Sequence, residues 1–216
     1  IQTYPEILLT MWGDSRDLGY IASTTYTDSD HGGHKADSRS VSGAAHLIFG
    51  KWMTRALVAW YATRQPVTAV STGDAELAAT SLALRRLAMP ITGILEETVG
   101  TSGTIVELII KGDAQVAERV IEAGRSKALR YMRKSQRISI HFVYDILKQD
   151  GNRYEHEPSE TNCSDIFTKP LPRESHNRHM KFLGLVVLSD GENGGDNCSY
   201  VAVFSCASVD CESQEA

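Results

Sequence analysis

The sequence predicts an α/β protein, a mixed five-stranded sheet with helices on both faces. Three observations carry that expectation: three strand-like segments in succession before residue 64, a nearly continuous apolar run at 104–111 bounded by glycines, and helical periodicity on either side of that run. Consecutive short-looped strands pair antiparallel, and a strand that returns after a helix joins in parallel, so the order βββαβααβα gives a mixed sheet between helical layers.

The elements follow from residue chemistry. Residues 18–28, LGYIASTTYTD, are rich in β-branched and aromatic types and end in the polar, glycine-bearing DSDHGGHKADSR, as a strand before a loop does. VSGAAHLIFG (41–50) and ALVAWYAT (56–63), separated by KWMTR, read as a hairpin. Ser71 with Asp74 three residues on marks a helix start ahead of Leu77, Leu84 and Leu87. Pro90 is expected to interrupt that helix, and Gly100 to end the helical region. TIVELIIK (104–111) suits a strand buried on both faces. DAQVAERVIEAG reads as a short helix behind Asp113, and a second helix is expected between Ser135 and Gly151, with Ile138, Phe142 and Ile146 on one stripe. RYEHEP is a short strand, and TNCSDIFTK a last short helix stopped by Pro170.

Composition bounds the function. The chain has 216 residues, 22 Lys+Arg against 27 Asp+Glu, a formal charge of −5 and 42% hydrophobic residues, which excludes collagen, a long coiled coil and full-length disorder. No apolar run reaches the roughly 18 residues of a membrane span, so no membrane partner is expected. Six of the acids, Asp190, Glu192, Asp196, Asp210, Glu212 and Glu215, lie in 186–216, where there is no Lys or Arg; residues 1–185 therefore carry +1. Cys198, Cys206 and Cys211 share that tail, at a spacing that matches no paired zinc motif, and the body keeps only Cys163. Such usage fits a reducing compartment. The start, IQTYPEILLT, has neither Met nor a signal-peptide layout, so residues 1–17 are expected to be an N-terminal segment from upstream in something longer, 18–185 the folded domain, and 186–216 an acidic, cysteine-containing tail.

Four carboxylates occupy distinctive places: Asp28 at the end of the first strand, Glu76 in the first turn of the long helix, Asp113 at the end of the buried strand and Asp165 in the final short helix. Most acids in a chain are solvated, and a single strand-end Asp is usually a cap or turn residue. Ligand sites in open α/β sheets nevertheless form at strand ends, and carboxylates gathered there repel one another unless a cation neutralises them. Such oxygens suit Mg²⁺, and two ions about 4 Å apart serve phosphodiester hydrolysis.

The blocks TYTDSDHGGHKADSRSVSGAAHLIFG, VAWYATRQPVTAVSTGDAELAATS, IIKGDAQVAERVI and TNCSDIFTKPLP, in this order and at these intervals, resemble the ribonuclease H domain of copia-type LTR retrotransposon Pol polyproteins. The resemblance runs from about Gly19 to Leu185, and SDIFTKPLP with Asn162 before it is its most specific piece. RSKALRYMRKSQRISIHFVYDIL marks a divergent branch. The resemblance implies a ribonuclease H-like fold, and it places the catalytic, metal-binding acids on Asp28, Glu76, Asp113 and Asp165, holding two Mg²⁺ with Mn²⁺ as a substitute. It departs at Gly73-Asp74, where Thr-Glu is usual, and at Ala114, where Asn is frequent. It further implies cleavage of the RNA strand of RNA/DNA hybrids during reverse transcription, the reverse transcriptase portion of the same polyprotein as partner, and a cytoplasmic, virus-like-particle setting.

Substrate contacts are expected from a basic cluster, Arg125, Lys127, Arg130, Arg133, Lys134 and Arg137, which would bind phosphates by counterion release. A solvated helix face is the bland alternative. Ser71 and Thr72 are small polar residues suited to sensing 2′-hydroxyls. His156 is expected at the surface or in packing, His176 and His179 in solvent, and Trp52, Trp60 and Tyr61 in core packing. Two rival functions stay open: a nucleic-acid-binding remnant that has lost turnover, and a DNA nuclease or integrase-like protein of the same fold.

Overall fold

The structure, a computed structural model, describes residues 7–33, 37–127 and 129–187 and the backbone of 201–202. A short strand β1 (Ile7–Thr10) precedes the main sheet. That sheet comprises β2 (Tyr20–Asp30), β3 (Val41–Phe49), β4 (Arg55–Arg64), β5 (Ile105–Gly112) and β6 (Asn152–His156), in spatial order β4-β3-β2-β5-β6. The hairpin strands are antiparallel to their neighbours, while β5 runs parallel to β2 and β6 parallel to β5. This is the mixed five-stranded sheet expected from the sequence, with the hairpin bounds shifted by a residue or two.

Strand β2 lies at the centre, and every residue from 21 to 29 is buried. Its threonines suit that position, because branched side chains are already restricted at χ1 and lose little on packing. Thr25 and Thr27 face one layer of helices and Tyr26 the other, as the two-residue period of a strand dictates.

The first layer begins with α1 (Thr72–Ala83), whose Ser71 cap accepts the Asp74 N–H at 3.2 Å. A π turn at Leu84–Ala88 joins it directly to α2 (Met89–Val99). Pro90 therefore does not break the helix. The Met89 N–H reaches back five residues to the Leu84 carbonyl, and this wider turn removes the regular bonding that a proline ring would disrupt. Then come α3 (Gln115–Ala123), α4 (Met132–Ser135) and α5 (Ile140–Leu147). Leu77, Leu84, Leu108, Ile110, Met132 and Val143 form their shared core. Fully burying each such side chain contributes about 1.5–3 kcal/mol as an upper bound.

The helix expected between Ser135 and Gly151 is shorter, α5 alone, and α4 lies before its expected start. Arg137 takes a left-handed φ of 56°, which ends α4, and Ser139 caps α5 by accepting the Phe142 N–H at 3.2 Å. Either serine is a chemically adequate cap; packing of Val143 and Leu147 into the core selects the later one.

The opposite face is covered by a 3₁₀ turn at Cys163–Phe167 and by α6 (Arg173–Phe182). The expected short helix at 161–169 is thus a single tight turn. Tyr26, Leu47, Leu57, Cys163 and Leu183 pack there, with the Tyr26 and Phe182 rings edge-on at 5.5 Å. A second sheet, β7 (Leu185–Val187), β1 and β8 (Val201–Ala202), joins residues from both sides of the expected domain limits. Apart from residues 186–187 and 201–202, the expectations for the acidic tail and its three cysteines lie outside the described residues.

Two surface expectations are corrected. Trp52 is 63% exposed in the turn between β3 and β4, and Trp60 is 51% exposed on β4, which is an edge strand. Tyr61 is half-buried. His179 is 1% exposed, on the side of α6 that packs inward, and burial lowers its imidazole pKa. His156 is exposed on β6, 3.8 Å from Glu118. No helix among the described residues is long and apolar enough to cross a membrane.

Candidate active site

Because β2 and β5 are adjacent and parallel, their C-terminal ends reach the same edge of the sheet. Asp28 stands near the end of β2, and Asp113 follows the last residue of β5. Asp165 arrives from the other side of the chain on the 3₁₀ turn. That turn is pinned by Asn162, which is fully buried. Its side-chain amide donates to the Thr27 carbonyl at 2.9 Å, and its side-chain oxygen accepts the Ser164 hydroxyl at 2.6 Å.

Close docking of this turn also needs Gly43, the register partner of Asp28 on β3. A Cβ there would lie 2.6 Å from Thr168 Cγ2 and 2.9 Å from Phe167 Cβ, below normal carbon contact. Asp28, Asp113 and Asp165 can each offer a carboxylate oxygen within 4.8 Å of the others. Glu76 in the second turn of α1 is not part of that tight trio. It is 5% exposed, however, and near enough to feel two of the three.

The electrostatics follow from this crowding. Burial pushes the Glu76 pKa up to about 9, with Asp28 and Asp113 adding to the shift. Burial also raises Asp165 to about 7, reinforced by Asp28 and opposed by Lys169. Asp28 is raised by burial too, against the Thr168 hydroxyl and Lys169. Lys169 Nζ lies 2.9 Å from Asp165 Oδ2 and 3.8 Å from Asp28 Oδ2, and the Thr168 hydroxyl donates to Asp28. The Ser159 hydroxyl donates to Asp113 at 2.5 Å.

One ammonium thus faces four carboxylates. Asp165 Oδ1 is buried with no hydrogen-bond partner, and so is the neighbouring Ser29 Oγ. An acceptor left unsatisfied in a crowd of anionic oxygens fits a hard divalent cation. The donor set suits Mg²⁺ or Mn²⁺ and lacks the thiolate or imidazole ligands that softer ions favour.

The other expected site residues lie apart from this trio. Ser71 and Thr72 are exposed at the start of α1, and the Ser71 hydroxyl is engaged as its cap. Arg125, Lys127, Arg130, Arg133, Lys134 and Arg137 are all exposed. Four of them, Arg125, Lys127, Arg130 and Arg133, line a cleft of about 650 Å³ floored by Leu129, Ile138 and Ile140. The ion pairs of the described residues all lie outside this stretch. Ala114 stands at the N-cap of α3 without a side-chain bond, which an asparagine there could supply.

Sequence reasoning missed Thr168 and Lys169 as site residues, although both stand in the FTKP motif. The available signal was the spacing: a lysine four residues after an acid on a turn-like segment is placed to pair with it. Gly43 carried no such signal, since its role depends on a turn more than a hundred residues away.

The fold resembles several solved structures. RNase H1 from the halophilic archaeon Halobacterium salinarum NRC-1 is 16% identical over 68% of this chain and 94% of its own, with a TM-score of 0.43. LC11-RNase H1, isolated from compost by a metagenomic approach, is 14% identical over 75% of this chain and 99% of its own, with a TM-score of 0.44. The protease-reverse transcriptase of prototype foamy virus is 12% identical over 76% of this chain and 20% of its own, with a TM-score of 0.37. No family model and no curated protein matches the chain.

Proposed function

We propose that this chain is a ribonuclease H domain that hydrolyses the RNA strand of RNA/DNA hybrids with two divalent metal ions. The observation that carries the reading is the convergence of Asp28, Asp113 and Asp165 at the shared end of two parallel strands, with an unpartnered buried oxygen on Asp165. The motif resemblance adds the finer context: a copia-type Pol polyprotein, an attached reverse transcriptase as partner, and a cytoplasmic virus-like particle as setting.

Asp28, Asp113 and Asp165 would hold the ions, with Glu76 on the flank. When bound, Mg²⁺ supplies the positive charge that stabilises nucleophilic attack on a phosphodiester. The chain's own residues do the positioning. Asn162 and Gly43 keep the Asp165 turn against β2, and Thr168 orients the Asp28 carboxylate through its hydroxyl. Lys169 holds Asp165 by an ion pair and leaves its other oxygen open. The basic segment 125–137 supplies sequence-independent phosphate contacts.

The test is cleavage of a hybrid carrying a labelled RNA strand, run beside duplex DNA in Mg²⁺, Mn²⁺ and EDTA. Metal-dependent cutting of the RNA strand alone is expected. Hybrid binding in EDTA with no cleavage in either metal would instead establish a remnant that has lost turnover. Equal cutting of duplex DNA would point to a DNA nuclease.

A further inference from the structure

We infer that Asp74 is a positioning residue: its buried carboxylate fixes the basic segment 125–137 to the helix that carries Glu76, and so sets where a bound nucleic-acid backbone lies relative to the acidic cluster. The inference rests on the nucleic-acid reading proposed above. Asp74 is the third residue of α1, two before Glu76, and is 1% exposed. Its carboxylate collects donors from separate parts of the chain. The Val70 N–H donates to Oδ2 at 2.9 Å, the Tyr131 hydroxyl to the same oxygen at 3.3 Å, and the Gln136 amide to Oδ1 at 3.5 Å.

Two of those donors belong to the basic segment and bracket α4, with Arg133 and Lys134 between them. Met132, fully buried in the core, anchors the same short helix from below. The segment's cations are exposed, but the backbone beneath Arg133 and Lys134 is thus held at both ends. A carboxylate is the suitable group here because it only accepts, and all three partners are donors; an asparagine would turn an NH₂ toward one of them. With no ion pair to Asp74 among the described residues, these hydrogen bonds matter more: losing the Gln136 donor leaves buried Oδ1 without a partner, and losing the Tyr131 hydroxyl leaves Oδ2 with the Val70 N–H alone.

The functional consequence comes from ordering. A phosphate-binding segment that is already fixed does not have to be ordered when substrate arrives, so the joint contributes to affinity without touching the substrate. Gly73 next to it is not part of the joint. A Cβ there would meet only Val116, with Cγ1 at 2.8 Å, on an exposed side chain that can rotate away.

The test uses the full chain with Tyr131→Phe and Gln136→Met, which remove donors and keep the side-chain bulk, together with Asp74→Asn and the double variant Asp74→Asn/Tyr131→Phe. Hybrid binding is measured in EDTA at several salt concentrations, KM and kcat in Mg²⁺, and Tm for each variant. Losing the Tyr131 hydroxyl is expected to raise the dissociation constant and KM by roughly 3–10-fold, the equivalent of one hydrogen bond. Turnover at saturation is expected to stay within about twofold, since no group at the acidic cluster changes. The double variant is expected to cost no more than Asp74→Asn alone, because the two residues share one interaction. A Tyr131→Phe variant with lowered Tm but unchanged affinity and KM would overturn the inference and leave the catalytic proposal standing. If the parent chain binds hybrid without cleaving it and Tyr131→Phe weakens that binding, the inference holds and the catalytic proposal fails. A parent chain that neither binds nor cleaves overturns both. Should Asp74→Asn fail to fold, Tyr131→Phe and Gln136→Met decide the matter alone.

Discussion

The two charged regions of this molecule are built in opposite ways. At the end of β2 and β5, like charges are buried on strands and a docked turn, and their repulsion is relieved by one lysine. In the segment 125–137, like charges are exposed to solvent, where water and counterions screen them. Burial makes the first region precise in geometry and costly in energy; exposure makes the second cheap and geometrically loose, apart from its tie to Asp74. A cation at the first region relieves strain that the fold itself creates. A polyanion at the second merely replaces counterions.

This contrast predicts effects of different size and sign. Asp28→Asn is expected to lower hybrid cleavage by at least about 100-fold, as loss of a metal ligand does. In the metal-free chain the same change removes one of the repelling buried charges, so Tm at neutral pH is expected to stay level or rise. A variant that loses stability in EDTA while keeping its activity would erase the distinction between the regions. Gly43→Ala should destabilise by about 1–3 kcal/mol through overpacking and should weaken Mg²⁺ binding, because it moves the turn that bears Asp165. Thermal melts with and without Mg²⁺ separate those two effects.

The metal-free protein should also respond to pH in a defined direction. Glu76 and Asp165 have folded pKa values raised to about 9 and about 7, from ordinary values of 4.5 and 3.8. Their neutral forms therefore favour the fold at low pH, and that contribution is lost as pH rises through about 7 and then about 9. Because a ligating carboxylate must be ionised, the Tm increase produced by Mg²⁺ is expected to grow between those values of pH. A Mg²⁺ effect that shrinks over that range would contradict the assignment. The smallest effect belongs to the exposed region. Arg130→Ala with Arg133→Ala should leave Tm and kcat nearly unchanged and should make the slope of log affinity against log salt less negative, by roughly 0.7–0.9 for each phosphate that the variant no longer neutralises.

Much of this was legible in the sequence, and the exceptions have physical causes. The five strands and their mixed pairing could be read because strand period and turn residues are written in consecutive residues; of the four acids singled out, Asp28, Asp113 and Asp165 come together at the strand ends, and Glu76 stands outside that trio. Pro90 misled because its accommodation depends on a π turn placed ahead of it. The second helix was misplaced because Ser135 and Ser139 are equal as caps and differ only in what they let Val143 and Leu147 reach. Trp60 looked like core because composition cannot tell an edge strand from a central one, and Trp52 because residue type does not show that it sits at the tip of a turn. Gly43, Asp74 and Lys169 make their contacts across elements distant in the chain or through a turn, so their residue types alone carry little sign of them.

The most direct test of the central claim is the comparison of the parent chain with Asp113→Asn on an RNA/DNA hybrid in Mg²⁺. Asp113 offers an oxygen to the trio, and its hydrogen bond there comes from Ser159, which an asparagine oxygen can still accept. A metal site at the trio predicts Mg²⁺-dependent cleavage of the RNA strand by the parent chain and its near-complete loss in the variant, with Tm little changed. Undiminished cleavage by Asp113→Asn would contradict it.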